Sequence, residues 1–319
     1  MRKTRWGAIV VLAALVAGCN RAPEKTIGVV PKGSSHIFWQ AVHAGALKAG
    51  GELGYRIAWN APAQEGDRSR QIAIVESMIN QRVAGIALAP CDRAALAGVV
   101  ARAADTGIPV AIFDSGIDGR KHIGYIGTNN REGGRAAARR LGEALGGKGL
   151  VATISDVPGS ASTTERIEGF MGEMRERYPQ IRLLEPRFCE ASRANARDIA
   201  ENLLSAHADL SAIFADHENA ISGTVLAVKA RERRGVRLVG FDASEPLVED
   251  LRAGWIDSLV VQDPFRMGYE SVRALALKLG GGAPPPETDT GATLVRASDL
   301  ERLEIRDLLF PKLDMHSGR

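Results

Sequence analysis

Cysteine is scarce: three occur in 319 residues. No CxxC pair and no His/Cys cluster is present, so a disulfide scaffold and a zinc site both lack their residues. Aromatic residues make up 5% of the chain. Charge of one sign is missing too: 41 Lys and Arg stand against 38 Asp and Glu, for a net +3, and Arg2, Lys3 and Arg5 account for that excess. A global basic field for nucleic acid is therefore excluded. Apart from Trp6–Ala17 there is no long apolar run, and that one is shorter than the roughly 20 residues a membrane span needs. No GxGxxG follows the first predicted strand, where the loop reads Pro31-Lys32-Gly33-Ser34-Ser35-His36. No Walker motif and no GxSxG elbow occurs, so a dehydrogenase, a P-loop enzyme and an α/β-hydrolase are not supported. No DNA-binding headpiece is expected before the first strand, which sets a repressor aside.

What is present begins with a targeting segment. A basic start, the apolar run and the small residues Ala17-Gly18 before Cys19 resemble a bacterial lipobox. Residues 1–18 are then expected to be a signal peptide, Cys19 the lipidated residue, and 19–25 a tether to the cell envelope on the periplasmic side. Asn20 leans to the outer membrane. The other two cysteines, Cys91 and Cys189, are expected to be free thiols.

Short apolar runs alternate with amphipathic stretches along the rest of the chain. Predicted strands are Thr26–Val30, Tyr55–Trp59, Gly85–Leu88, Pro109–Phe113, His122–Gly127, Leu150–Ile154, Arg182–Leu184, Ala212–Ala215, Arg237–Phe241 and Ser258–Val261. Helical stripes lie between them, such as Phe38, Val42, Gly45, Ala49 and Leu53, and Asp67 is a predicted N-cap. Continuous apolar strands alternating with helices predict α/β architecture with parallel sheets covered on both faces. The chain also repeats itself: Pro109–Asp114 parallels Arg237–Asp242, and Ala84–Ala89 parallels Ser211–Ala215. The prediction is two similar doubly wound lobes, broken near Gly127–Asn130, with the ligand cleft between them. In such sheets ligands sit beyond the carboxyl ends of strands, which gives weight to Pro31–Trp39, Ala89–Asp92, Asp114–Gly116, Asp156–Arg166, Asp216–Asn219, Asp242–Ser244 and Gln262-Asp263.

Taken in order, Ile27–Val30 with Phe38-Trp39, Ile108-Pro109-Val110, Ile126–Gly134, Glu165–Phe170, Val239–Asp242 and Gln262–Gly268 resemble the periplasmic binding proteins of the ribose-binding type. These share a core with lactose-repressor-like sensor domains. The resemblance implies three hinge crossings, with an N-terminal lobe of 26–128 plus 263–291 and a C-terminal lobe of 129–262 plus 292–319. It implies sugar capture by hinge closure near Asn129, Gln262 and Thr290, without catalysis or cofactor. It also implies a monomer that delivers its ligand to an ABC permease. The alternative is a sensory protein presenting a sugar or furanosyl autoinducer to a receptor or histidine kinase.

Carried onto this sequence, the resemblance places Lys32, His36, Phe38 and Trp39 in the first loop, Asp114 after the fourth strand and Arg166 in the second lobe. It adds His217, Asp242 and Gln262, with Glu190 as a further contact. Phe38, Trp39, Asp114, Arg166, Asp242 and Gln262 keep the family pattern. Lys32, His36, Ser115 and His217 depart from it, which favours a sugar or polyol other than ribose. Lys32 with Asp114-Ser115 also resembles the branch that binds a furanosyl autoinducer. Adjacent positions do not share a helix face, so one of Phe38 and Trp39 is expected to pack inward and the other to face the cleft. A buried Lys32 requires a carboxylate beside it, such as Asp114, and its charge suggests a sugar acid.

Overall fold

The computed structural model describes residues 25–34 and 36–310. Two sheets form from the same strand–helix alternation. The first holds β1 (Thr26–Val30), β2 (Arg56–Trp59), β3 (Gly85–Leu88), β4 (Val110–Phe113), β5 (Tyr125–Gly127) and, from far along the chain, β12 (Glu287–Asp289). Its order is β12-β5-β4-β3-β1-β2, parallel throughout. The second holds β6 (Lys148–Ser155), β7 (Gln180–Leu183), β8 (Arg187–Phe188), β9 (Leu210–Ala215), β10 (Arg237–Phe241), β11 (Ser258–Gln262) and β13 (Ala292–Val295). Its order is β13-β11-β10-β9-β6-β7, with β8 beside β6. The same order in both sheets is the repeat read from the sequence, now seen in space. One expectation fails: the second sheet is not wholly parallel, because β13 returns antiparallel along β11.

The helices are α1 (Ile37–Leu53), α2 (Arg68–Asn80), α3 (Ala97–Asp105), α4 (Asn130–Ala144), α5 (Ala161–Arg177), α6 (Arg193–Ala206), α7 (Glu218–Ala230), α8 (Glu245–Arg252), α9 (Pro264–Leu279) and α10 (Leu303–Leu309). The central strands feed two apolar layers, because successive side chains point to opposite faces. In β4, Ala111 and Phe113 pack with Val42 and Met267 of α1 and α9, while Val110 and Ile112 pack with Val75 and Val99 of α2 and α3. The second lobe repeats this: Val239 and Phe241 of β10 join Leu141 and Phe170, and Leu238 joins Leu204 and Val225. Asp67 caps α2 as expected, accepting from the Arg70 N–H at 2.9 Å.

Glycine sets the closest helix approaches. A Cβ on Gly45 of α1 would run into the carbonyl oxygen of Phe265 on α9, and one on Gly134 of α4 into that of Arg166 on α5. A side chain at either place would force the helix backbones apart.

The chain passes from the layers of one sheet to those of the other at 128–129, 263 and 290–291. These crossings are tied together: the Thr290 N–H donates to the Gly127 carbonyl at 2.9 Å, and the Thr128 hydroxyl donates to the Gly291 carbonyl at 3.0 Å. Cys91 and Cys189 are both free and buried, in different lobes. Burial pushes the Cys91 thiol up to about 11. Cys19 and the targeting segment lie outside the described residues.

Candidate functional site

The carboxyl ends of both sheets face one cavity. Its lining includes Lys32, His36, Phe38, Trp39, Asp114, Arg166, His217, Asp242 and Gln262, nine of the residues singled out in the sequence. Its two sides are in contact. On one rim the Arg93 N–H donates to the Gly159 carbonyl at 3.0 Å, and the Arg68 guanidinium donates to the Pro158 carbonyl at 3.1 Å. On the other, His36 Nε2 lies 2.8 Å from Glu218 Oε2.

Lys32 follows β1 and is 5% exposed. Buried Gln71 anchors its loop, donating to the Pro31 and Ala89 carbonyls at 3.0 and 2.8 Å. Lys32 Nζ lies 2.8 Å from Asp114 Oδ2 and donates to Ser162 Oγ in the opposite lobe at 3.0 Å. The required carboxylate is there. Burial works against the charged lysine, but Asp114 outweighs it and raises the pKa.

Asp114 and Asp242 hold equivalent places after β4 and β10. Both have left-handed backbone, with φ of 60° and 69°, an uncommon conformation for a residue with a side chain. Both backbone N–H groups bond the neighbouring strand, Asp114 to the Ile126 carbonyl and Asp242 to that of Val260. Gln262 Nε2 donates to Asp242 Oδ1 at 2.6 Å. Gln262 Oε1 is buried without a partner.

Arg166 is buried where α4 and α5 touch. Its Nε donates to Asn130 Oδ1 and its Nη1 to the Asp216 carbonyl, each at 2.8 Å, and its guanidinium lies 3.9 Å over the Phe241 ring. It pairs with neither Glu165 nor Glu168, the surface alternative for a helical arginine. His217 Nδ1 lies 3.0 Å from Asp216 Oδ1. Burial opposes a charged ring, but Asp156 and Asp216 outweigh it and hold the imidazole well above its ordinary value. His36 caps α1 through Nδ1, which accepts from the Phe38 N–H at 3.0 Å. Burial again opposes charge and the Glu218 carboxylate raises the value; the cap, which needs a bare Nδ1, limits that rise.

Phe38 and Trp39 do not divide the work as expected. Both are buried, both belong to the core and both line the cavity. Their rings meet edge to face at 4.8 Å, which lets one cluster serve as core and as cavity wall. Glu190 is the misplaced residue. It and Ala191 both have φ of 54°, a turn that leaves Glu190 exposed. It borders an outer groove with His36, Glu65 and Glu218 rather than the cavity. Sequence reasoning missed Glu65 altogether. It lies between β2 and α2, lines the cavity and accepts from Trp39 Nε1 at 2.6 Å. Asp156, Ser162 and Glu218 fell within the weighted loops without being chosen. Among the described residues no group of His, Cys, Asp and Glu could hold a metal ion.

A sequence profile of the periplasmic binding protein domain matches residues 27–283. The chain belongs to the periplasmic binding protein family. Membership places it in the periplasm or cell envelope. It is 30% identical over 298 residues to the D-ribose/D-allose-binding protein of Pseudomonas aeruginosa, covering 88% of this chain and 93% of that one. It is 25% identical over 268 residues to the ribose import binding protein of Haemophilus influenzae, covering 84% and 90%. Among solved structures, a carbohydrate transporter solute-binding protein of Agrobacterium radiobacter in complex with D-arabinose superposes with a TM-score of 0.88 at 30% identity, covering 90% of this chain and 99% of that one. An ABC transporter solute-binding protein of Agrobacterium vitis with bound D-fucose gives 0.87 at 29%, covering 89% and 100%.

Proposed function

We propose that this periplasmic binding protein is the solute receptor of an ABC importer that captures a monosaccharide or related polyol by closing two lobes, 26–128 plus 263–291 and 129–262 plus 292–319. One observation carries the reading. Asp156 Oδ1 and Gln262 Oε1 are buried acceptors without hydrogen-bond partners, and both residues line the cavity between the sheets. Buried acceptors are costly unless a donor reaches them, and the hydroxyl groups of a sugar supply such donors. Phe38 and Trp39 offer the apolar wall that a sugar ring's C–H face needs. The printed ligands of the Agrobacterium proteins, D-arabinose and D-fucose, support the same class.

The work is binding and not catalysis. Lys32 and Arg166 donate, Asp114, Asp242 and Gln262 accept, and His36 and His217 hold carboxylates in place. Closure turns on Asn129, Gln262 and Thr290 and shifts an open–closed population. The liganded monomer then docks on its permease, tethered to the envelope through lipid on Cys19. A thermal-shift screen over pentoses, hexoses and polyols tests the reading. A ligand at about 100 times its Kd adds about 2.7 kcal/mol. The reading fails if no sugar or polyol moves the midpoint, or if a bound one leaves the radius of gyration in small-angle scattering unchanged.

A further inference from the structure

The basic side chains around the cavity are almost all engaged by the protein. Lys32 is held by Asp114 and Ser162, His36 by Glu218 and His217 by Asp216. Arg166 spends two of its N–H groups on Asn130 and the Asp216 carbonyl. The carboxylates are not matched in the same way. Asp156, 4% exposed, presents Oδ1 to the cavity with no hydrogen bond. Its nearest cation is His217 Nε2 at 3.7 Å, beyond hydrogen-bonding reach. Half-buried Glu65 comes from the opposite lobe. One of its oxygens accepts from Trp39, which aims the carboxylate into the same cavity. Two carboxylates thus line one enclosed space, and neither is hydrogen-bonded to a cation among the described residues.

We propose that the sugar bound here carries a protonated amine, an aminodeoxy sugar, whose ammonium sits between Glu65 of one lobe and Asp156 of the other. The inference rests on the sugar-receptor reading and narrows its ligand class. An ammonium has three donors and no acceptor. It satisfies both oxygens at once and converts a like-charge repulsion into two charge-assisted bonds. A hydroxyl can satisfy one oxygen and leaves the repulsion in place. A sugar acid, suggested by Lys32 when the sequence is read alone, would add another anion where Asp114 has already neutralised the lysine. The Glu65 carboxyl behaves accordingly: burial and the facing Asp156 push it up, against the pull of His36 and Lys32. Because the two carboxylates belong to different lobes, the amine would also tie the closed form together.

The test is isothermal calorimetry at neutral pH on the full chain. The probes are D-glucosamine, D-galactosamine and D-mannosamine, each beside its parent hexose, its N-acetyl derivative and the corresponding uronic acid. The N-acetyl compounds keep the nitrogen and remove its charge. At least one amine is expected to bind about tenfold or more tighter than its parent and its N-acetyl form, as one charge-assisted contact warrants, and no uronic acid should bind. In Glu65→Gln and Asp156→Asn the ratio of parent to amine Kd should fall to about one, with an intact circular dichroism spectrum. If a parent sugar binds as tightly as its amine, or a uronic acid binds best, the amine proposal is overturned and the sugar-receptor reading stands. If no compound in this panel or in the pentose and polyol screen binds, both fall.

Discussion

Replacing Lys32 with alanine separates a buried charge pair from a surface one. In the closed molecule Lys32 and Asp114 lie 2.8 Å apart with side chains only 6% and 5% exposed, and Ser162 of the other lobe covers the ammonium at 3.0 Å. Breaking such a pair from one side leaves an unpaired carboxylate and costs about 3–5 kcal/mol. In the open form Ser162 withdraws and water reaches the pair, so the same substitution costs about 1 kcal/mol or less there. The difference, about 2–4 kcal/mol, falls on ligand binding, because binding stabilises the closed form. At about 1.4 kcal/mol per decade this raises Kd by roughly thirtyfold to several hundredfold. Calorimetry with the tightest sugar from the screen measures it, and unfolding without ligand measures the open-form cost. Adding Asp114→Asn to Lys32→Ala should recover part of the loss, since the stranded charge is removed. A Kd within threefold of wild type, or an unliganded loss as large as the liganded one, would refute the reasoning and return Lys32 to solvent.

Asp242→Ala should weaken binding by about 2–4 kcal/mol, through unpaired hydroxyls and a freed Gln262 amide. It should also lower unliganded stability by about 1 kcal/mol, since alanine tolerates φ near 69° poorly; an unchanged Kd removes Asp242 from the site. The Glu218 carboxyl is desolvated, which alone would raise its pKa, but His36 and the Ser222 and Ser244 hydroxyls lower it to about 2. A depressed carboxyl contributes stability above its unfolded value near 4.5 that is lost as pH falls through about 2. Because His36 lies in the opposite lobe, ligand affinity should decline over that acid window, and Glu218→Gln should flatten the decline; a profile with the same slope in both proteins refutes a role for the His36–Glu218 contact in closure. Gly134→Ala drives a methyl into the Arg166 carbonyl and should cost about 1–3 kcal/mol of stability, read as a lower thermal midpoint. An unchanged midpoint would mean that α4 and α5 can part without loss.

Buried strands announce themselves, because a run such as Val110–Phe113 must be apolar on both faces. β12 reads Glu-Thr-Asp and β13 exposes Ala292 and Thr293, so neither carries a hydrophobic signal, and only the pairing geometry reveals the antiparallel return. The site followed the same logic. Residues after strands at the carboxyl edges reached the cavity because the two sheets have the same order and face each other. Glu65 was missed because the loop after β2 was passed over, although β2 runs parallel to β1 and its end points the same way. Glu190 failed for the opposite reason: a left-handed pair of residues turned a post-strand position out to solvent. Which charges neutralise one another could not be read from the chain, since the partner of Lys32 depends on distances that only packing sets.

The late arrival of α9 and β12 has a consequence for how the molecule is made. A ribosome delivers the strands and helices of the second lobe, β6 through β11, in one stretch. The first lobe stays unfinished until Pro264–Leu279 is available to cover α1 and Glu287–Asp289 to extend the sheet beside β5. Until then Val42, Ala46 and Phe113 lack Met267, Val272 and Leu275 as packing partners. The part of the chain synthesised first therefore waits for segments made near the end, and the second sheet in turn gains β13 only after β12. A nascent chain of this design keeps its leading half loose for almost the whole of translation, the condition under which a polypeptide can still be threaded through a narrow translocation channel.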